Sequence, residues 1–267
     1  MNIYKNYKKN FCSGLLLLFF VSISFAQHQK FYAHEQFLSH GDTLNYRIML
    51  PKKFDGTKQY PLVLFLHGAG ERGNDNAKQL VHGSSLFAKR KHRRKFPAIV
   101  ILPQCPQNDY WANAIIDRTT NPYTMDFPLD SLPTKSLNLV MQLMDEMASK
   151  PFVKTDQIYV GGLSMGGMGT FEILYRKPTL FAAAFAICGG GNIETASQYA
   201  KNTPLWVFHG ANDDIVDPQL SIEMVSAYLK AGGKPNFSLY SNDNHNSWDS
   251  AFAEPKLLPW LFSKSKL

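Results

Sequence analysis

The sequence predicts an α/β protein whose mostly parallel central sheet is covered by helices on both faces. Short, continuously apolar segments alternate along the chain with segments whose apolar residues recur every three to four positions. Such alternation is typical of parallel sheets, because each crossover between parallel strands carries a helix. The 267 residues, 45% hydrophobic and 18% charged, suit one globular domain and argue against a disordered or collagen-like chain.

The first 26 residues are typical of a secretory signal peptide. Three lysines precede the apolar segment 15–25, which ends on Ser24-Phe25-Ala26, where signal peptidase needs small residues. An uncleaved membrane anchor is the alternative, but the apolar run is short for a span. We therefore expect a single mature domain over 27–267, secreted or periplasmic, without stable membrane insertion after cleavage.

Five segments are continuously apolar, as expected for strands buried on both faces of a parallel sheet. They are 61–66, 98–102, 158–160, 182–187 and 205–208, and a last strand is predicted at 237–240. Residues 43–50 instead alternate apolar and polar side chains. This alternation predicts an antiparallel strand at the edge of the sheet.

Two of the intervening segments have clear helical features. Between Leu137 and Ala148, apolar residues follow the spacing of a helix that packs on one side. A second helix is predicted to begin at Asp217-Pro218, with the aspartate as N-cap and the proline in the first turn. The pair Gly232-Gly233 ends it.

A basic cluster at residues 89–95 contributes much of the formal net charge of +7. It lies directly before a predicted strand, and cations favour a helix C-terminus, so we interpret it as a solvated helix end. No aromatic residue interrupts the cluster, which disfavours binding of single-stranded nucleic acid. We expect no nucleic-acid partner.

The motif Gly162-Leu163-Ser164-Met165-Gly166 is the strongest chemical signal in the chain. It has the pattern G-x-S-x-G and lies between a predicted strand and a predicted helix, which is the context of a nucleophile elbow. Small residues beside the serine allow the backbone to pass through the sharp turn. Ser164 is therefore the candidate nucleophile.

A serine hydroxyl needs a general base, and in this arrangement an acid and then a histidine follow the serine along the chain. Asp213 comes shortly after a predicted strand and is the candidate acid, with Asp214 and Asp217 as alternatives. His245 follows the last predicted strand, and the sequence has no other histidine beyond His209. His245 is therefore the candidate general base.

An acyl-transfer site also needs two backbone N–H groups that stabilise the oxyanion. We predict that Met165, next to the nucleophile, supplies one of them. The glycine-rich loop 67–73 supplies the other, with Ala69 as the predicted donor and Gly70 as the alternative. No Lys-Ser/Thr pair follows this loop, so it is not a phosphate cradle. No metal or organic cofactor is expected.

Five motifs extend over nearly all of the chain after residue 26. They are His67-Gly-Ala-Gly-Glu-Arg-Gly, Pro103-Gln-Cys-Pro, Gly162-Leu-Ser-Met-Gly-Gly, His209-Gly-Ala-Asn-Asp and His245-Asn-Ser-Trp. In these motifs the chain resembles small secreted bacterial esterases of the polyhydroxybutyrate depolymerase and feruloyl/acetylxylan esterase group, within the α/β-hydrolase superfamily.

The resemblance implies an α/β-hydrolase catalytic domain over 27–267 with a triad of Ser164, Asp213 and His245. It implies a carboxylesterase that acts through an acyl-enzyme on short-chain or aromatic acyl esters, such as side groups of a polysaccharide. Three alternatives remain open: a serine peptidase of the prolyl-oligopeptidase type, a lipase, and a secreted binding module that has lost the chemistry.

Two further expectations concern the loops of this fold. The long segment 104–130 is rich in aromatic residues and is expected to lie over the strand ends near the nucleophile. Trp111 in this segment and Trp248 beside the base are the candidate substrate-binding residues; the alternative is that both only pack the loop against the domain. The strand order of the fold separates Cys105 from Cys188 by about three strands, so no disulfide is expected.

Overall fold

The computed structural model describes residues 28–129 and 131–266, so the predicted signal peptide lies outside the described residues. Ten strands form an eight-stranded sheet and a separate two-stranded ribbon in this part of the chain. They are β1 (Ala33–Ser39), β2 (Asp42–Met49), β3 (Tyr60–Leu66), β4 (Ile99–Pro103), β5 (Ile115–Asp117), β6 (Thr124–Asp126), β7 (Val153–Leu163), β8 (Ala183–Ile187), β9 (Leu205–Gly210) and β10 (Asn236–Tyr240).

The order of strands in the large sheet is β1-β2-β4-β3-β7-β8-β9-β10, while β5 and β6 form the ribbon. The strands from β4 to β10 in this order are parallel, and β1 and β2 are antiparallel to their neighbours. The predicted mostly parallel sheet is therefore confirmed. The carboxyl ends of its parallel strands meet along one edge, where the functional side chains are expected to gather.

Helices cover both faces of the sheet, as predicted. They are α1 (Ser84–Ala88), α2 (Arg90–Lys95), α3 (Lys135–Ala148), α4 (Met165–Arg176), α5 (Ala196–Tyr199), α6 (Pro218–Lys230), α7 (Trp248–Ala253) and α8 (Leu257–Phe262). Successive β3 side chains enter opposite cores: Leu64 packs on the side of α3, α4 and α6, and Phe65 on the side of α1 and α8. Full burial on both faces explains why such strands are continuously apolar.

The prediction that residues 43–50 form the edge strand is wrong. Strand β2 lies between β4 and β1, and β1 is the edge. The sequence hides β1 because most of its side chains are exposed, so it carries no apolar pattern. A tight hairpin joins the two strands through His40 and Gly41, which both have positive φ.

Two smaller predictions fit the structure. The side chain of Asp217 accepts a hydrogen bond from the Gln219 N–H at 2.8 Å and so caps α6. The basic residues of the cluster 89–95 form α2 and crowd its last turn, where the helix dipole favours cations.

Among residues 28–129 and 131–266, no helix is both long and apolar enough to span a bilayer.

The two cysteines lie where the strand order separates them. Cys105 follows β4 and Cys188 follows β8, three strands away in the sheet. Both are buried free thiols. Burial raises the pKa of Cys105 to about 12, and it raises the pKa of Cys188 as well, so both remain protonated.

The turn between β7 and α4 positions the candidate nucleophile. Ser164 adopts φ 52° and ψ −118° there. The first turn of α4 packs directly on the end of β3, where a Cβ on Gly166 would overlap the carbonyl oxygen of Leu66. Gly162 has the same constraint, because its Cβ would overlap the carbonyl group of Gly166. Glycine is required at both positions because backbone meets backbone.

We predict that Gly166→Ala destabilises the fold by about 3 kcal/mol, the upper part of the range for overpacking, because the clash is with main chain. Urea unfolding measures the change. Gly56→Ala is the matched control, since its Cβ would meet only Phe54 at 4.0 Å. Equal unfolding midpoints for the two variants would contradict the prediction.

Candidate active site

Ser164 lies at the carboxyl end of β7, in the middle of the sheet. Its N–H donates to the carbonyl of Ile187 at 2.8 Å, and its own carbonyl accepts from the Met168 N–H at 3.0 Å. The residue is only 8% exposed. Its hydroxyl borders a cavity of about 230 Å³.

The structure brings the three predicted triad residues together. His245, in the loop after β10, has its Nε2 3.0 Å from Ser164 Oγ. Its Nδ1 lies 2.9 Å from Asp213 Oδ2 and 3.1 Å from Oδ1. Of the three acids considered, Asp214 is exposed and Asp217 caps α6. The geometry therefore favours Asp213, in the loop after β9.

Several donors surround the carboxylate of Asp213, which is 5% exposed. Its Oδ1 accepts from the N–H groups of Ile215 and Val216, each at 2.9 Å. Burial acts to raise the pKa of this carboxyl, but hydrogen bonds from His209, His245 and the Val216 N–H hold it well below its usual range. The group thus stays ionised, and it keeps the proton of neutral His245 on Nδ1 and the Nε2 lone pair toward Ser164.

His209 is a positioning residue that the sequence analysis missed. It is fully buried, and its Nε2 lies 3.1 Å from Asp213 Oδ2 and 3.0 Å from the carbonyl of Val216. Both partners are acceptors, so Nε2 carries hydrogen. Nδ1 lies 2.7 Å from Ser221 Oγ on α6. The available signal was a histidine at the end of an otherwise apolar strand, four residues before the acid.

Hydrogen bonds fix three consecutive carbonyl groups in the loop after β3. Trp111 Nε1 donates to the carbonyl of His67 at 3.1 Å, His67 Nδ1 to that of Gly68 at 2.6 Å, and Arg72 Nε to that of Ala69 at 3.0 Å. In a trans peptide the N–H points opposite to the C=O. The N–H groups of Gly68, Ala69 and Gly70 therefore point away from these donors. Gly68, Ala69 and Gly70 also border the cavity beside Ser164.

The tautomer of His67 follows from its neighbours. Its Nε2 lies 3.0 Å from the backbone N–H of Cys105, which can only donate. Nε2 is therefore the acceptor, and Nδ1 carries the hydrogen that binds the Gly68 carbonyl. Burial, aided by the charge of Arg72 and opposed by the bond to Gly68, lowers the pKa of His67 to about 4. The ring is neutral at pH 7.

The structure separates the two tryptophans that were predicted to bind substrate. Trp111 is fully buried, lies edge-on to His67 with ring centroids 5.2 Å apart, and does not line the cavity. Its prediction as a substrate wall is wrong, because its indole packs inward and binds the glycine-rich loop 67–73 through the His67 carbonyl. Trp248 does line the cavity and meets the His245 ring at 86° and 5.4 Å. Its role in binding stays a prediction.

The cavity has two chemically different walls. One is mostly apolar and includes the ribbon formed by β5 and β6; its residues are Ile116, Tyr123, Met125, Met168, Ile215 and Val216, with Arg118 beside Tyr123. The other is mostly polar and is formed by Glu71, His82 and Trp248. The ribbon belongs to the segment 104–130 and lies beside Ser164, where the sequence placed it. It is fixed by the Tyr123 N–H, which donates to the carbonyl of Ile215 at 3.0 Å.

One group of potential metal ligands lies at the site. Cys188, Asp213 and His245 each place a donor atom within 4.8 Å of the others. In this arrangement Asp213 and His245 already use those atoms for each other. The geometry suits a proton-transfer pair rather than a metal centre.

Comparison with known proteins places this site in a family context. Residues 124–256 match the phospholipase/carboxylesterase family of α/β-hydrolases. A solved thermostable esterase is 32% identical, with a TM-score of 0.81 over 90% of this chain and 64% of its own. The bifunctional acetylxylan esterase/xylanase of Neocallimastix patriciarum is 35% identical over 97 residues, and dipeptidyl-peptidase 5 of Porphyromonas gingivalis is 26% identical over 171.

These relatives are longer than the chain. The matches cover 36% of this chain and 14% of the fungal enzyme, and 64% of this chain and 22% of the peptidase. The chain has the α/β-hydrolase fold.

Proposed function

We propose that this protein is a serine carboxylic-ester hydrolase that acts through an acyl-enzyme. One observation carries the proposal. Ser164 Oγ lies 3.0 Å from His245 Nε2, and the Nδ1 of the same ring lies 2.9 Å from the buried carboxylate of Asp213. This is the arrangement that turns a serine hydroxyl into a nucleophile. The match to a carboxylesterase family supports it.

In the proposed mechanism, Ser164 attacks the ester carbonyl carbon while His245 takes the hydroxyl proton. The carbonyl oxygen becomes an oxyanion, which accepts hydrogen bonds from the N–H groups of Met165 and Ala69. His245 then donates its proton to the leaving alcohol, and the C–O bond of the ester breaks. Water repeats these steps on the acyl-enzyme, which releases the acid and restores the serine.

We propose short-chain or aromatic acyl esters, such as side groups of a polysaccharide, as substrates. The cavity of about 230 Å³ fits a small acyl group, and Tyr123 and Met125 on its apolar wall suit an aromatic one. The similarity to an acetylxylan esterase supports a carbohydrate ester. Such a substrate agrees with the secreted or periplasmic location expected from residues 1–26.

A substrate panel tests this function. The panel contains p-nitrophenyl acetate, p-nitrophenyl octanoate, methyl ferulate and a proline-anilide peptide. Turnover of acetate or ferulate supports the esterase and identifies its acyl preference. Since one relative is a dipeptidyl peptidase, anilide cleavage with poor ester turnover would instead favour a peptidase.

We predict that Ser164→Ala reduces ester turnover by a factor of about 10⁴ or more and abolishes labelling by a fluorophosphonate probe. The hydroxyl is the proposed nucleophile and also the atom that the probe phosphonylates. The control is Ser197→Ala, because Ser197 is exposed. Ser221 is not used as a control, because it contacts His209. Equal turnover by Ser164→Ala and the parent protein would overturn the assignment.

We predict that Asp213→Asn reduces kcat by a factor of roughly 10³–10⁴, because an amide NH₂ facing His245 favours the wrong tautomer. Steady-state kinetics at pH 7.5 measure the change. Asp214→Asn is the matched control, since its exposed side chain is the neighbouring acid. A larger loss in the Asp214 variant would reassign the triad acid.

We predict that the protein loses about 2 kcal/mol of folding free energy through His67 between pH 7.5 and pH 5. Burial lowers the pKa of His67 to about 4 from an ordinary 6.5. The unfolded chain therefore gains the proton first, and stability falls as the pH drops through this window. Urea unfolding at both pH values measures the loss.

The variant His67→Gln removes this titration, so its stability is expected to depend less on pH by that amount. Other histidines titrate equally in both proteins, and the comparison isolates His67. The same loss of stability in parent and variant would show that His67 is not held neutral by burial.

A further inference from the structure

We propose that Glu71 is a specificity-determining residue that binds a hydroxyl group on the leaving alcohol, so that the preferred substrates are esters of polyols or sugars. This inference rests on the proposed esterase function and extends it to the leaving-group side of the substrate. It is carried by the position of one shielded carboxylate in the cavity.

The carboxylate of Glu71 lies close to the nucleophile. A Cβ added to Gly68 would lie 3.0 Å from Glu71 Oε2 and 3.6 Å from Ser164 Cβ, so the two side chains flank the same point. The side chain of Glu71 is only 12% exposed and lines the cavity. A substrate bound at Ser164 therefore passes within reach of this carboxylate.

Contacts along the polar wall show which part of the substrate meets Glu71. Glu71 Oε1 lies 3.9 Å from His82 Nε2, the His82 ring lies 5.1 Å from that of Trp248, and Trp248 lies 5.4 Å from His245. The wall thus leads from His245 to Glu71. His245 must protonate the leaving oxygen, so the alcohol lies on its side of the cavity.

The opposite wall suits the acyl group. It is made of Ile116 and Met125 from the ribbon, Met168 from α4, and Ile215 and Val216 from the loop after Asp213. These side chains offer an acyl chain or ring apolar contact. The two walls therefore divide the cavity into a mostly apolar acyl side, which also carries Arg118, and a polar alcohol side.

A carboxylate in this setting favours a hydrogen-bond donor. Ionised Glu71 can only accept, and His82, at 3.9 Å, is beyond hydrogen-bond distance. Burial raises the pKa of Glu71, because little water remains to stabilise its charge, and the charge of His82 and the backbone N–H groups of Gly68 and Glu71 offset this only in part. A substrate hydroxyl would give the carboxylate a further, charge-assisted hydrogen bond, whereas a plain alkyl alcohol would add none.

The experiment compares glycerol 1-monoacetate with propyl acetate, which share the acetyl group and differ in the two hydroxyls of the alcohol. We expect the parent protein to prefer the glycerol ester by about tenfold or more in kcat/KM. In Glu71→Met, which lacks an acceptor, the ratio of the two kcat/KM values falls toward one. In Glu71→Gln, whose amide oxygen still accepts, the ratio is intermediate.

Glu223→Gln is the control, because this exposed glutamate on α6 does not line the cavity, and it is expected to keep the parent ratio. A parent ratio near one, with propyl acetate hydrolysed, would overturn the role of Glu71 and leave the esterase function intact. If the parent protein hydrolyses neither ester and does not hydrolyse p-nitrophenyl acetate, both the role of Glu71 and the esterase function are overturned.

A second pair distinguishes a hydroxyl from an ammonium donor. Alanine ethyl ester and ethyl isobutyrate have the same shape, but the first carries an ammonium group on its acyl side. A strong preference for the alanine ester that Glu71→Met removes would show that Glu71 binds an amine, and would overturn the proposal. Should Glu71→Met fail to fold, the parent ratio and the Glu71→Gln variant still decide.

Discussion

The close approach of three backbones at the end of β7 determines the position of the whole site. The first turn of α4 packs on the last residue of β3, because Gly162 and Gly166 have no Cβ to hold them apart. The same strand end continues directly into the loop of His67 and Gly68. Main-chain packing therefore places the nucleophile beside the predicted oxyanion donors, whichever side chains the loop carries.

The loops around this packed strand end determine the surroundings of the charged side chains at the site. Two carboxylates reach the cavity region, and their surroundings differ. Asp213 receives hydrogen bonds from two histidines and two backbone N–H groups, which keep it ionised despite burial. Glu71 has no histidine within hydrogen-bond distance, and burial raises its pKa although the backbone N–H groups of Gly68 and Glu71 act the other way. The first is suited to hold a histidine permanently, and the second is suited to accept a donor that arrives with the substrate.

The sequence predicted the parts of the structure that follow from burial and from backbone strain. Strands buried on both faces are visible in the sequence as continuous apolar segments, and the turn at Ser164 is visible as glycines beside the serine. The edge strand β1 was not predicted, because most of its side chains are exposed to solvent and form no apolar pattern. The prediction for Trp111 was wrong because the sequence does not show which way an aromatic side chain in a loop points. In the structure its indole points inward to His67.

The choice among neighbouring acids and the role of His209 also needed the fold. Asp213 and Asp214 are chemically equivalent in a sequence, and only the turn after β9 decides which of them faces His245. His209 is distinguished by what surrounds it, since both acceptors near its Nε2 come from residues further along the same loop. Chemistry that depends on the direction of a side chain is visible only once the loop geometry is known.

The ribbon of β5 and β6 adds a constraint on how substrate preference can vary. Tyr123, in the turn that joins β5 to β6, donates its N–H to the carbonyl of Ile215 and pairs with Val216. The N–H groups of these same two residues bind Asp213 Oδ1. The substrate wall and the triad acid thus share one short segment of main chain. The strand residues that line the cavity, Ile116 and Met125, are free to change with the acyl group, whereas the turn is held by the geometry that keeps Asp213 in place.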